Sequence, residues 1–463
     1  MRETKREYKF FSFYDFAGIQ AHLEAMAARG WMLEAVGTWF WRYRRETPRQ
    51  VRFAVTYFPQ ASEFDPRPLE GQQVLADYCA EAGWEPVAQS AQMQIFRNEA
   101  ADPVPMETDA AVQVENIHRA MRKNYLPSHL LLMVLALFQL GMMAWRLRTD
   151  AVTVLTDPTT FFTLPCWLVV LAVCVTESGT YLRWYRRARE AAAAEGRLVP
   201  PRSHRGLQTF TLLCLGLGMA VWLLSLGSRR QTVIAFCSIA MMAALIALVN
   251  LLKALLKRRG VSAGVNRTVT LGACFVLSFA LMGGMVFFLL QMTRSGLLDD
   301  HPPAETYVYH NMEWEVYHDP IPLTVQDLTD TDYTAWSTVA GMDRSFFMSR
   351  RTFSQDPRMD AVGVPHLRYE IVESAFTPLL DLALRDYLAE GERYSNEELG
   401  LFYGWVPEAA EAWQAEQVYR FRRGEDMADT WLVRWPGRVV EIRLGWTPTP
   451  GQIAAAAEVL KTA

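Results

Sequence analysis

Five apolar runs occupy the middle of this 463-residue chain, and they constrain its architecture more than any other feature. The last four reach the roughly 20 residues that an α-helix needs to cross the hydrocarbon core of a bilayer, and the first is weaker, because it reaches that length only with Pro127, Ser128 and His129. Charged residues make up 21% of the whole chain, which is too polar for a protein that lies entirely within a membrane. The sequence therefore predicts a helical transmembrane region at 126–292, with soluble domains before and after it. The five spans are expected at about 127–146, 160–182, 207–228, 232–256 and 268–292.

Positive charges flank these runs unevenly. Seven arginines lie in 183–206 and five Lys or Arg lie in 253–267, whereas each alternate connection holds only two arginines. Cytoplasmic loops of membrane proteins carry the excess of Lys and Arg. The pattern predicts a multi-pass protein of the bacterial inner membrane, with a cytoplasmic N-terminus and an extracytoplasmic C-terminus. The first residues are charged and no apolar run follows them, so we expect no signal peptide.

The dipeptide Gly-Trp occurs twice before the membrane region, in AARGW and AEAGW. Apolar residues recur at helical spacing over 14–29, and a glycine that follows a helix commonly takes the left-handed conformation that ends it. We therefore interpret Gly30 and Gly83 as helix ends. Trp31 and Trp84 begin the strands that follow, and they are interpreted as structural anchors that pack on a sheet.

The two Gly-Trp segments imply two similar halves in residues 1–98. The order of predicted elements is β-α-β-β-α-β, which is that of a ferredoxin-like α+β domain. The last strand could bend into a short hairpin at Gln89–Ala91. Residues 99–125 are expected to form a linker and an amphipathic helix that leads into the first span.

The charge of this first domain argues against nucleic acid as a partner. Residues 1–98 carry 12 basic and 12 acidic residues, whereas a duplex-binding protein normally neutralises several phosphates with a basic surface. We expect no nucleic acid partner for this domain.

Residues 293–463 are expected to form an acidic extracytoplasmic α+β domain, because they hold 15 Lys or Arg against 28 Asp or Glu. HLRYEIV is typical of a strand, and SAFTPLLDLALRDYLAEG of a helix. Near the end, three strands with a turn at Pro436-Gly437 precede a closing helix that begins near Pro450. His310 and His318 lie near carboxylates and leave zinc binding as an alternative, but no HExxH or similar compact motif occurs.

The N-terminal region resembles a family of uncharacterised bacterial membrane proteins. The resemblance rests on REYKFFSFYDFAGIQAHLEAMAARGWMLEAVG, on the aromatic hairpin after it, and on EAGWEPV. It is strongest over 6–125 and looser through the membrane region. Members carry an N-terminal domain of unknown function, occur mostly in Firmicutes and are often encoded beside a PadR-type regulator. The resemblance implies a membrane protein that takes part in a regulated envelope response, and it implies no catalytic residue.

No motif for a catalytic residue, a cofactor or a metal is found. The leading hypothesis is a non-enzymatic sensor or regulatory protein in the lipid bilayer, with a protein partner in the cytoplasm. The alternative is a transporter or a transporter accessory subunit. Glu177 would then be its intramembrane polar site, because ionisable residues inside a span are often functional. A plainer interpretation pairs Glu177 with Arg183 at the cytoplasmic interface, and a sharper one pairs it with His129 or Asn250.

Overall fold

The fold is that of a computed structural model, which describes residues 3–8, 11–37, 40–107, 109–202, 205–298, 302–392, 395 and 402–463. The chain divides into two compact units. The first contains 1–139, 166–218 and 236–288, and the second contains 140–165, 219–235 and 289–463. Each unit therefore combines one soluble domain with segments of the long helices.

The N-terminal domain consists of two β-α-β-β halves. Each half forms its own antiparallel three-stranded sheet, in the orders β1-β3-β2 and β4-β6-β5. The single four-stranded sheet of a ferredoxin-like domain stays a prediction that this pairing does not confirm. The elements of the two halves are β1 (Thr4–Tyr8), α1 (Phe16–Ala28), β2 (Trp31–Val36), β3 (Phe40–Arg45), β4 (Arg52–Tyr57), α2 (Glu70–Glu81), β5 (Glu85–Ser90) and β6 (Met93–Asn98).

The internal repeat extends to local irregularities of the sheets. Moving 53 residues along the chain takes Trp31 to Trp84 and β3 onto β6. The strand register shifts between Leu33 and Ala35 in the first half, and it shifts again between Pro86 and Ala88 in the second. A bulge is a specific backbone feature. Because the register shift recurs at the same position of the repeat, the two halves have similar local backbone geometry.

The two glycines of the repeat have the conformation that the sequence predicts. Gly30 has φ +78° and Gly83 has φ +80°, directly after α1 and α2. The tryptophans differ, however. Trp84 is buried and its Nε1 donates to the carbonyl of Val104 at 2.8 Å, whereas Trp31 is half-buried.

Charged side chains lie over the ring of Trp31, whereas Trp84 is buried in the core. The guanidinium of Arg45 lies 5.0 Å from the Trp31 ring centre, and the ammonium of Lys5 lies 5.7 Å from it. These distances are within the range of cation–π contacts. Trp84 is therefore a core anchor, while Trp31 lies at a sheet surface under two cations.

Among the residues that the structure describes, five helices are long and apolar enough to cross a membrane, as the sequence predicts. The first is α4 (Leu126–Thr149), which continues from α3 (Ala110–Ala120) through a π-helical turn at Met121–Tyr125. After α5 (Ala151–Thr156), the others are α6 (Pro158–Glu195), α7 (Arg205–Ser225), α8 (Arg229–Arg258) and α9 (Ala263–Arg294). At most 11% of the most apolar window of any of the five is buried within the protein. Such exposed apolar helices suggest a membrane-embedded protein.

The C-terminal domain contains one antiparallel seven-stranded sheet, in the order β12-β13-β14-β15-β11-β10-β9, and a separate two-stranded hairpin. Helix α10 packs on one face of the large sheet and α11 on the other. The predicted three-strand meander and the closing helix are confirmed. The elements are β7 (Glu305–Tyr309), β8 (Met312–Val316), β9 (Trp336–Arg344), β10 (Ser349–Pro357), β11 (Leu367–Glu373), α10 (Thr377–Glu392), β12 (Tyr403–Pro407), β13 (Gln417–Arg423), β14 (Asp426–Trp435), β15 (Arg438–Leu444) and α11 (Pro450–Leu460).

We predict that Gly30→Ala destabilises the N-terminal domain more than Gly83→Ala does. Both changes place a side chain at positive φ, which costs about 1–2 kcal/mol. A Cβ at Gly30 would also lie 2.7 Å from the backbone oxygen of Glu46, whereas at Gly83 it would lie 3.2 Å from the movable amide of Asn98. Hydrogen exchange of β2 and β5 in the detergent-solubilised chain measures the difference. Equal effects of the two changes would contradict this account.

Candidate functional site

The candidate site is a buried carboxylate, Glu177 of α6, which is only 4% exposed. Its Oε2 accepts a hydrogen bond from Ser12 Oγ at 2.8 Å and a longer one from the Tyr125 hydroxyl at 3.4 Å. Its Oε1 accepts one from Gln208 Nε2 at 2.7 Å. Gln208 Nε2 also donates to Ser12 Oγ at 3.1 Å. We call these four residues the Glu177 cluster.

The cluster joins parts of the chain that are distant in sequence. Ser12 belongs to the connection between β1 and α1, Tyr125 ends the π-helical turn before α4, and Gln208 lies in the first turn of α7. The N-terminal domain, the π-helical turn that leads into α4, and helices α6 and α7 therefore meet at one carboxylate.

A local turn fixes the direction of Ser12. The amide of Asp15 donates to the carbonyl of Ser12 at 2.8 Å, and the Asp15 side chain caps α1 by accepting from the amide of Gly18 at 3.0 Å. Tyr14, in the same turn, has its hydroxyl 3.2 Å from Thr180 Oγ1, one turn of α6 beyond Glu177. Burial raises the pKa of Tyr14, so this hydroxyl stays protonated at physiological pH.

Hydrogen bonding makes the burial of this charge tolerable. A buried carboxylate is costly unless it is paired or hydrogen-bonded, and no cation pairs with Glu177 among the described residues. Three donors serve its two oxygens instead. Gln208 Oε1 is buried with no hydrogen-bond partner, so the cluster is not fully satisfied. The loss of a single hydrogen-bond donor would therefore weaken the Glu177 cluster.

Apolar packing surrounds the cluster on the side of the N-terminal domain. The C-terminal part of α6 contributes Tyr181 and Trp184, and α3 contributes Ile117, to the same hydrophobic core as the sheets. Tyr14 lies against Tyr181, with ring centres 5.1 Å apart, and against Trp184 at 5.5 Å. The last turns of α6 are thus part of the N-terminal domain's core.

A second set of contacts ties this domain to α8 and α9. Lys253 Nζ lies 2.9 Å from a carboxylate oxygen of Glu63, and Lys257 Nζ donates to the backbone carbonyl of Glu63 at 3.1 Å. Asn266 Nδ2 donates to the carbonyl of Phe64 at 3.3 Å. The loop at 59–65 therefore contacts the last turns of α8 and the first turn of α9.

The second unit contains a comparable contact between a soluble domain and the long helices. Helix α5, in the connection between α4 and α6, places Val152 and Leu155 in the apolar cluster between α10 and the seven-stranded sheet. The amide of Val152 donates to a carboxylate oxygen of Asp386 at 3.1 Å. Ser345 Oγ donates to the carbonyl of Leu155 at 2.5 Å. A short helix next to the apolar spans is therefore part of the C-terminal core.

The other residues that the sequence suggested as partners of Glu177 lie elsewhere. The ring nitrogen of His129 lies 3.0 Å from the carbonyl of Tyr125, and Asn250 Nδ2 donates to the carbonyl of Ile246 at 2.9 Å, so each bonds within its own helix. None of the ion pairs in the described ranges joins Glu177 to Arg183. Among the residues that the structure describes, no group of three or more His, Cys, Asp and Glu is arranged to hold a metal ion.

Sequence reasoning identified Glu177 but missed its partners. Ser12 and Gln208 are ordinary polar residues at the edges of elements, and nothing in their local sequence links them to residue 177. The only signal for this site in the sequence was an ionisable residue, Glu177, inside an apolar span. Gln208 could have been considered because it is a polar residue at the start of an apolar run.

Comparison with known proteins finds a similarity between the first part of the chain and a family of unknown function. Residues 15–129, about a quarter of the chain, match the model of a family described as "Protein of unknown function (DUF2812)". No curated protein and no solved structure matches the chain. The resemblance seen in the sequence is supported as far as a domain of unknown function.

We predict that Glu177→Gln loosens the contact between the Ser12 turn and α6. The new amide presents a donor to Ser12 or Gln208, which already donate, and a lost partner in a buried site costs about 1–3 kcal/mol. Hydrogen exchange of residues 11–17 in the full chain should become faster. Adding Gln208→Glu should restore part of the protection, because the acceptor and the donor then change places.

The matched control for this prediction is Glu190→Gln, on the same helix at an exposed position. It should leave exchange of residues 11–17 unchanged. Equal exchange rates in the Glu177 and Glu190 variants would show that the buried carboxylate contributes nothing to the contact.

Proposed function

We propose that this chain is a non-enzymatic membrane protein that passes a change in its C-terminal domain to its N-terminal domain. The C-terminal domain would be the sensor at the envelope, and the N-terminal domain would bind a cytoplasmic protein partner. In this proposal the lipid bilayer surrounds the five apolar helices, and no nucleic acid takes part. Helices α4 and α6 would carry the signal.

The observation that carries the proposal is that α4 and α6 contribute to a soluble core at both ends. At one end, Leu147 of α4 and Phe161 of α6 pack against the C-terminal core, to which α5 between them contributes Val152 and Leu155. At the other, α3, which continues into α4, contributes Ile117, and α6 contributes Trp184 to the N-terminal core. Protein cores are close-packed and tolerate small shifts poorly. A displacement at one end of these helices would therefore be felt at the other.

The charge pattern supports the orientation in this proposal. The basic connections 183–206 and 253–267 both contribute contacts to the N-terminal domain, through Trp184 and through Lys253. The C-terminal region has an excess of 13 negative charges. By the positive-inside tendency, the N-terminal domain would lie in the cytoplasm and the C-terminal domain outside the inner membrane.

The contacts of Glu177 favour signalling over transport as its role. A transport site would be expected to bind its substrate or ion from side chains of the spans. The shortest bonds of Glu177 instead include one from Ser12 of the soluble domain. Glu177 is therefore proposed as the residue that fastens the N-terminal domain to α6.

The proposal predicts that damage to the α5 contact changes the N-terminal domain. Leu155→Ala removes buried apolar atoms, which costs about 2–5 kcal/mol for a core leucine. Hydrogen exchange of the full chain in lipid nanodiscs should become several-fold faster at residues 110–121 and 181–192. The physical reason is that α5 would no longer hold the adjacent ends of α4 and α6 firmly against the C-terminal core.

A matched control separates transmission from general unfolding. Leu460→Ala makes the same chemical change in the core on the opposite face of the C-terminal sheet, where α11 packs. It should speed exchange within the C-terminal domain and leave 110–121 and 181–192 unchanged. The proposal fails if both variants, or neither, affect those two segments.

A further inference from the structure

The C-terminal domain contains an open groove of about 390 Å³ on the sheet face that α10 partly covers. Its floor is formed by four neighbouring strands, β9, β10, β11 and β15. The volume is within the range of small-molecule sites, which is roughly 300–1,000 Å³. The charged side chains on the floor are Asp356, Arg368, Glu370, Glu441 and Arg443. We call this the charged groove.

Like charges lie opposite each other in this groove. In the register of β11 and β15, Glu370 pairs with Glu441 and Arg368 pairs with Arg443. Like charges at directly opposed positions of a sheet are destabilising. The sheet therefore carries two unfavourable pairs side by side, an acidic row and a basic row.

In each pair of like charges, the charge of one residue is compensated by neighbouring side chains. Glu370 accepts hydrogen bonds from Arg350, at 2.8 Å, and from the Tyr387 hydroxyl of α10. Arg368 Nη2 lies 3.0 Å from a carboxylate oxygen of Asp356. These two charges are thus satisfied within the protein.

The other members of the two pairs, Glu441 and Arg443, are compensated less. Glu441 and Arg443 have only each other, at 3.9 Å, and no side-chain hydrogen bond of either is found among the described residues. Both are accessible, with 28% and 54% of the side chain exposed. Of the charged groups on the floor, these two are the least compensated within the protein.

The backbones of the two rows are two residues apart along each strand, or about 7 Å at 3.4 Å per residue, while the charged ends of Glu441 and Arg443 approach each other to 3.9 Å. A ligand that carries only negative charge would meet the repulsion of the acidic row, and a ligand that carries only positive charge would meet the basic row. A molecule with both charges can satisfy Glu441 and Arg443 together. Two residues of extended peptide span about 7 Å, so a dipeptide that binds here would separate the ion pair of Glu441 and Arg443 and place one of its own charges at each.

We infer that the charged groove binds the zwitterion of a short peptide, with its ammonium at Glu441 and its carboxylate at Arg443. The carboxylate accepts hydrogen bonds from the guanidinium, which is the donor best shaped for it. This inference deepens the proposed function, because it names the class of molecule that the sensing domain would recognise.

The protonation of Glu441 gives the binding a pH dependence. Burial, helped by the negative charge of Glu370, raises the pKa of Glu441 to about 7. An ammonium binds the ionised carboxylate, so affinity should rise several-fold between pH 5.5 and pH 7, while the peptide's own amine stays protonated. The charged and titratable groups that face Glu441 from the neighbouring strands and from α10 are Arg350, Glu370, Tyr387, Glu390 and Arg443.

The test is calorimetric titration of the full-length chain in nanodiscs with the dipeptide Ala-Ala. Saturable binding at millimolar or lower concentration is expected. N-acetyl-Ala-Ala lacks the ammonium and Ala-Ala-amide lacks the carboxylate, so each should bind at least tenfold more weakly. Absence of saturable binding, or equal binding of the capped peptides, overturns the inference.

Variants then locate the site. Glu441→Gln and Arg443→Gln should each weaken Ala-Ala binding at least tenfold, whereas Arg423→Gln, an exposed arginine that does not line the groove, should change it less than twofold. Equal effects of all three would overturn the assignment to this groove. If binding fails while the effect of Leu155→Ala persists, only the ligand class is wrong. If binding holds while that effect is absent, only the transmission is wrong.

Discussion

The architecture depends on helices that are longer than the layer they would cross. Helix α6 has 38 residues and so extends about 57 Å at 1.5 Å per residue, whereas the hydrocarbon core of a bilayer is about 30 Å thick. The excess length therefore lies outside the hydrocarbon core. One face of the last turns of α6 packs against the N-terminal domain, where Tyr181 and Trp184 are buried. The membrane helices are thus structural parts of the soluble domain, and rigid transmission along them becomes physically reasonable.

Much of the fold follows from short-range patterns in the sequence. The five apolar runs gave the five long helices, because the length and composition of a span are local properties. Gly30 and Gly83 gave the helix ends because few other residues adopt positive φ without strain. The meander over β13 to β15 followed from alternating side chains and the turn at Gly437. These features depend on neighbours in the chain.

Features that depend on distant contacts escaped prediction. The strands of the N-terminal domain pair within each half, and no local signal distinguishes that pairing from one ferredoxin-like sheet. The sequence predicts only a connection between two spans where α5 lies, because six residues are too few to show the apolar periodicity of a helix. The partners of Glu177 and the opposition of Glu370 and Glu441 arise from packing and strand register. The candidate site was therefore predictable only at its single charged residue.

The central claim is that one chain joins a cytoplasmic domain to an extracytoplasmic one through α4 and α6. The most direct measurement is the side of the membrane on which each end lies. A fluorescent protein that folds only in the cytoplasm would be fused before Met1, and a phosphatase that is active only outside would be fused after Ala463, each in a separate full-length strain. The account predicts activity from both reporters. A fluorescent N-terminal fusion with an inactive phosphatase would place both domains on one side and would contradict transmission across the membrane.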